Sequence, residues 1–178
     1  MIKKIFIPLL ISLFFPVMGY CIEYIDFTLT TYDNSNYDIT YYRKYKEIAK
    51  QYYKGNKLVK MTGSLPDGKL KLLNFNNLPV AIVNIKNNKF EGQCIFLQRK
   101  YSVRFNPPYE KVKSMYKAGI LNGPTEIFNI NGDIAFKLNY KDGVLDGESF
   151  FFDYAANEKK VVLFKNGKKV SEHVSKIK

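Results

Sequence analysis

The side chains that could do chemistry are few. His173 is the only histidine, and Cys21 and Cys94 are the only cysteines. His173 stands in a lysine-rich C-terminal stretch, where a solvated surface residue is expected. Ser149 follows Asp146-Gly147-Glu148, but a serine nucleophile needs a positioned base and no histidine is within sequence reach. Asp142, Asp146 and Asp153 recur with the turns. Their spacing is not that of an EF-hand calcium loop, and aspartate serves turn geometry directly. They therefore read as structural residues. No catalytic residue, metal site or cofactor is expected, and the chain reads as a binding protein rather than an enzyme, although a carboxylate pair can sit on any fold.

The redox state of the two cysteines depends on where the chain resides. The N-terminus reads MIKKIFIPLLISLFFPVMGY. Lys3 and Lys4 precede an apolar run from Ile5 to Phe15, and Val17 and Gly19 suit a cleavage site after Gly19. Residues 1–19 are read as a signal peptide, and the destination as the periplasm or cell envelope of a bacterium. A retained anchor is the alternative, but Pro8 and Pro16 interrupt a segment that barely reaches the ~20 apolar residues of a spanning helix. Lipidation of Cys21 is disfavoured by the bulky Tyr20 before it. In an oxidising compartment Cys21 and Cys94 either form a disulfide or remain two thiols, with Cys94 packed as a small hydrophobe.

The elements that would carry a binding surface come from a repeat. A bulky apolar residue recurs every 12 positions at Tyr116, Phe128, Tyr140, Phe152 and Phe164. Turn residues follow each one, at Gly119, Asn131-Gly132, Gly143, Ala155-Ala156 and Gly167. Backwards, Met61, Leu73, Ile85 and Leu97 keep the step. A second glycine closes alternate units, at Gly68, Gly92, Gly123 and Gly147. Two units make a 24-residue repeat.

Twelve residues fit one strand and one turn, and so many glycines would break helices. Asn131-Gly132 and Asp142-Gly143 are hairpin chemistry, while Ile134, Phe136, Leu138 and Tyr140 alternate with Ala135, Lys137 and Asn139 as a strand does. The fold class is mainly β, an elongated antiparallel sheet of repeated hairpins over residues 61–170. Residues 20–60 form an N-terminal cap region and residues 171–178 a basic tail. Within the cap, Tyr41, Tyr42, Tyr45, Ile48, Ala49, Tyr52 and Tyr53 share one face at helical spacing. A short helix over 38–56 is favoured, because a repeat sheet needs its end covered. A degenerate strand–turn unit is the other reading.

The segments YKAGILNGPTEIFNING (116–132) and YKDGVLDGESFFFDYAA (140–156), with looser copies at IKNNKFEG (85–92) and MTGSLPDG (61–68), resemble the MORN-variant repeat family. The resemblance covers about residues 61–170. It implies a hairpin sheet used as a binding or scaffolding surface. It further implies an antitoxin-like or immunity-like role, with a toxin or effector protein as partner and no catalytic residues.

The charge points the same way. The formal net charge is +12. Removal of residues 1–19, which hold two lysines and no acid, leaves +10. An acidic protein or an anionic envelope surface would suit it, and export argues against nucleic acid. Part of the lysine content is also compositional. Between Leu97 and Tyr116 the step is 19 rather than 12, so seven residues are inserted. An insertion inside a strand would turn its buried face outward, so a longer loop is expected at 99–116. It holds Arg104, Phe105, Pro107, Pro108, Tyr109 and Lys111. Aromatic residues and arginine beside a stiff proline pair are what interface anchors favour, which makes this loop the expected partner-binding site.

Overall fold

The computed structural model describes residues 22–33, 36–55, 57–74, 77–97 and 109–177. Fifteen strands run through them: β1 (Glu23–Thr31), β2 (Asn36–Arg43), β3 (Lys46–Lys54), β4 (Lys57–Gly63), β5 (Gly68–Leu73), β6 (Pro79–Lys86), β7 (Lys89–Phe90), β8 (Gly92–Leu97), β9 (Tyr109–Lys117), β10 (Ile120–Asn129), β11 (Ile134–Lys141), β12 (Val144–Leu145), β13 (Gly147–Asp153), β14 (Glu158–Lys165) and β15 (Lys168–Lys176). They form one open sheet in the order β15-β14-β13-β11-β10-β9-β8-β6-β5-β1-β2-β3-β4, with β7 and β12 as short spurs on β6 and β11. Every pairing is antiparallel except β1 with β5. The sheet of repeated hairpins expected from the spacing is the architecture of the protein.

The helix favoured over 38–56 is not there. Those residues form β2 and β3, joined by a turn at Lys44-Tyr45. The tyrosines that seemed to share a helical stripe divide between two faces. Tyr41 stands opposite Ala49 and Tyr37 opposite Tyr53 on one, with Tyr42 and Tyr52 on the other and Tyr45 exposed at the tip. The C-terminal residues set apart as a tail are also strand, since Ser171 to Lys176 pair with β14.

The true repeat is 24 residues, because the 12-residue step alternates faces. Tyr116, Tyr140 and Phe164 lie on the face that becomes the interior; Phe128 and Phe152 lie on the outside. Each inner aromatic stands across the ladder from a glycine of the preceding unit: Tyr116 opposite Gly92, Tyr140 opposite Gly123, Phe164 opposite Gly147. Ile85 opposite Gly68 extends the series. A ring laid over a glycine covers backbone that would otherwise face solvent. The turns stack at the same period. The amides of Gly119, Gly143 and Gly167 donate to the carbonyls of Phe90, Leu121 and Leu145 at 2.8, 2.9 and 2.8 Å.

The core lies at the N-terminal end. Ile25, Tyr41, Ala49, Leu65, Leu70, Leu72, Ala81, Val83, Ile85 and Cys94 are buried together on the inner face. The chain leaves β4 and enters β5 through only four residues, 64–67, although three strands separate them in the sheet. A flat sheet would place those strands ~19 Å apart at ~4.8 Å each, more than the ~18 Å that the connection spans when fully extended. The sheet instead rolls, so that Gln51, Tyr53, Lys57 and Leu58 of β3 and β4 line one pocket with Ile85, Lys89, Phe90 and Tyr116 of β6, β7 and β9. Leu65 of the connection is buried in the roll, its amide donating to Asn88 Oδ1 at 2.7 Å.

Candidate binding face

Strand alternation decides which charges gather on the outside. In the segments Lys69-Leu70-Lys71 and Lys111-Val112-Lys113, period-two spacing sends both lysines to one face while Leu70 and Val112 point inward. Lys50, Lys60, Lys137 and Lys159 reach the same outer face through their registers. Aromatic rings are placed among them. Lys111 Nζ lies 4.1 Å and Lys113 Nζ 4.9 Å from the Phe128 ring centre. Lys159 lies 5.8 Å from Phe150, and Lys71 5.3 Å from Tyr24. Tyr52 takes Lys50 and Lys60 together, at 5.3 and 5.6 Å. All six of these cation–π contacts among the described residues fall on the outer face. Phe150, Phe152 and Tyr154 continue it as a stacked ladder, with ring centres 6.5 and 6.0 Å apart.

A ring beneath an ammonium holds it in place without neutralising it. The outer face can therefore offer positive charge and flat apolar surface together. Acids answer part of it: Glu126 lies 3.9 Å from Lys137, and Asp38 2.5 Å from Lys50. Asp38 is fully buried and also accepts the Tyr32 hydroxyl at 2.8 Å. The Lys50 ammonium holds the Asp38 carboxyl below the usual carboxylate range despite desolvation, and Tyr32 assists. Reciprocally, the carboxylate raises Lys50 and Tyr32. Lys86, Lys117, Lys141 and Lys165, each ending the strand before a turn, are exposed along one margin of the sheet.

Of the expected partner-binding residues, Arg104, Phe105, Pro107 and Pro108 lie outside the described residues. Tyr109 and Lys111 do not belong to a loop; both are in β9. Lys111 instead joins the outer face over Phe128. Cys94 is a buried free thiol, raised by that burial, and Cys21 lies outside the described residues. The glycines singled out from the repeat, Gly68, Gly92, Gly119, Gly123, Gly132, Gly143, Gly147 and Gly167, all have positive φ, from 66° to 112°. His173 is exposed, and Ser149 is fully buried with no partner for its hydroxyl among the described residues.

The acids beside the second glycines have a role that the spacing did not disclose. Asp67 Oδ1 accepts the Asn87 amide at 2.8 Å, Glu91 Oε2 the Ala118 amide at 2.8 Å and Asp146 Oδ2 the Asn166 amide at 2.9 Å. Each ties its own unit to the first left-handed residue of the next turn. At the fourth site Asn122 Nδ2 donates to Asp142 Oδ1 at 3.0 Å, so the link survives with donor and acceptor exchanged. Neither a protein-family model nor a curated protein sequence matches this chain.

Proposed function

We propose that this chain is an exported, non-enzymatic binding protein of the MORN-variant type, which meets an acidic protein partner, a toxin or effector, through the outer face of its repeat sheet. The observation that carries the reading is the gathering, among the described residues, of all six cation–π contacts on that one face. Lysines held flat over rings keep their charge, lose little side-chain freedom on binding, and surround apolar surface that a protein partner can cover. Arg104, Phe105, Pro107 and Pro108, which precede β9 in the sequence, belong to the same reading on residue type alone. An anionic envelope surface is the second reading, favoured by the exposed lysine margin at Lys86, Lys117, Lys141 and Lys165.

The test is protection. Cells carrying a toxin encoded beside this gene should survive with the wild-type chain. They should succumb when Lys111, Lys113, Lys137 and Lys159 are all changed to glutamate, with the β-rich circular dichroism spectrum retained. Survival with that variant would remove the outer face from the reading. Binding of the wild-type chain to phosphatidylglycerol vesicles, without protection, would move the function to the envelope surface.

A further inference from the structure

The inner face of the rolled half carries an open-mouthed pocket of about 310 Å³ between β1, β2, β5, β6 and β8, with Phe27, Ile39, Leu72, Val80, Ala81 and Phe96 in its wall. It is almost wholly apolar. A second cavity of about 380 Å³ adjoins it, and Tyr53 and Phe90 line both. The second is different in kind: Gln51, Asn88, Lys57 and Lys89 line it. Both volumes are of the size of small-ligand sites, about 300–1,000 Å³.

The polar group between them is incompletely used. Gln51 is buried, and its Oε1 accepts two hydroxyls, from Tyr41 at 2.8 Å and Tyr53 at 3.2 Å. Among the described residues its amide nitrogen has only the Met61 sulfur as acceptor, at 3.8 Å, and sulfur is a weak one. The two hydroxyls fix the amide so that its donor end is committed to no oxygen. A ligand oxygen is a stronger acceptor than the Met61 sulfur and would take over this donor. Lys57 and Lys89 are exposed at the same cavity, so an anionic acceptor would be favoured over a neutral one.

We propose that the two cavities form one site for a single-chain anionic amphiphile. The alkyl chain occupies the apolar cavity. The head group lies in the second, hydrogen-bonded by the Gln51 amide and paired with Lys57 and Lys89. The site is on the face opposite the partner surface and does not depend on it.

The chain-length dependence is the first readout. Titration of the full mature chain with octanoate, decanoate and dodecanoate, each below its micellar concentration, should give saturable 1:1 binding. Affinity should rise about fourfold for each added methylene. Lysophosphatidylglycerol distinguishes the source of the ligand: binding tighter than that of dodecanoate assigns the head cavity to a phospholipid, weaker binding to a free fatty acid. Ala81→Phe should fill the apolar cavity and abolish binding of both. Should that variant not fold, Val80→Phe at the half-buried end of the same wall gives the same readout. Lys57→Glu with Lys89→Glu should weaken dodecanoate at least tenfold and leave dodecanol unchanged. Absence of saturable binding, undiminished binding by the cavity-filling variant, or equal binding of dodecanoate and dodecyltrimethylammonium would overturn the proposal.

Discussion

The two halves of the sheet use one hairpin chemistry and reach different ends. In the N-terminal half, β1–β8, the inner face carries Ile25, Leu70, Leu72, Val83 and Ile85, all under 8% exposed, and the sheet folds over itself to cover them. In the C-terminal half the large inner residues Ile127, Phe136, Leu138, Tyr140 and Phe151 are half-buried, while the smaller Ser114, Thr125, Ser149 and Val162 between them are buried. No second layer of described residues covers them. The β9–β15 half is instead held by side-to-side means: rings over glycines, stacked turns and carboxylates tying one turn to the next. The contrast teaches that the repeat supplies strand pairing, while enclosure depends on the irregular N-terminal segment. Four strands outside the clear repeats provide the roll.

The sharpest way to break this comparison is at two glycines. Gly63 ends β4 at the point where the chain turns into the roll, with φ +68°. A Cβ there would sit 2.1 Å from the Ile48 carbonyl oxygen and 2.9 Å from its carbon. Those are backbone atoms of a paired strand and cannot swing away. Gly63→Ala should cost more than ~3 kcal/mol by urea unfolding, since strain and clash add. Gly143, in a turn of the single-layer half, has φ +85°, and its Cβ would meet only Ile120 Cγ2 at 3.3 Å. Gly143→Ala should cost about 1–2 kcal/mol, the strain of a left-handed turn alone. Equal losses at the two sites would mean that the roll is not the more demanding structure.

A smaller effect comes from the Asp38–Lys50 pair on the outer face of the rolled half. Asp38 has a lowered folded pKa. Its contribution is therefore present above the unfolded value, near 3.9, and is lost as pH falls through the depressed folded value. Lys50 has a raised pKa, so its contribution is complete below ~10.4 and fades above it. Asp38→Asn keeps the shape and removes the charge. It should lower the melting temperature at pH 7, and its stability should approach that of the wild type as both are acidified below pH ~4. Parallel acid limbs in the two proteins would show that the Asp38–Lys50 pair is not what the acid limb reports.

Much of this architecture was legible in the spacing of glycines and aromatics, because hairpin turns impose backbone conformations that few residues tolerate. The turn between β2 and β3 was not, and the reason is local. Lys44 and Tyr45 both have positive φ, 49° and 66°, where glycine or asparagine would be expected. With no turn residue to divide it, 38–56 read as one continuous element, and a dense run of tyrosines matches a helical period as readily as two strands. The outer face was partly visible. Lys69/Lys71 and Lys111/Lys113 carry the period-two spacing that puts both charges on one side. Their pairing with Phe128, seventeen and fifteen residues beyond Lys111 and Lys113, required the register. The 12-residue step through Tyr116, Phe128, Tyr140 and Phe152 is plain in the sequence, but only the register shows that Tyr116 and Tyr140 face inward while Phe128 and Phe152 face outward.

The smallest effect separates the halves most cleanly. Asp146 accepts the Asn166 amide across the turn stack, and Asp67 does the same for Asn87. Both contacts are exposed, so each alanine substitution should cost only about 0.5–1 kcal/mol. The distribution of that loss should differ. Asn166 belongs to the turn joining β14 and β15, and β15 is an edge strand with almost every residue exposed. Such an element opens by itself. Asp146→Ala should therefore accelerate amide hydrogen exchange within β14 and β15 while the rest of the sheet keeps its protection. Asn87 lies at the end of β6, beside the buried core that β1–β8 share, where opening one hairpin means opening the roll. Asp67→Ala should lower protection evenly over β1–β8, with no local maximum at β6. A local maximum there, or none at β14 and β15 in Asp146→Ala, would show that the halves open alike and that the carboxylate links, rather than the roll, set their cooperativity.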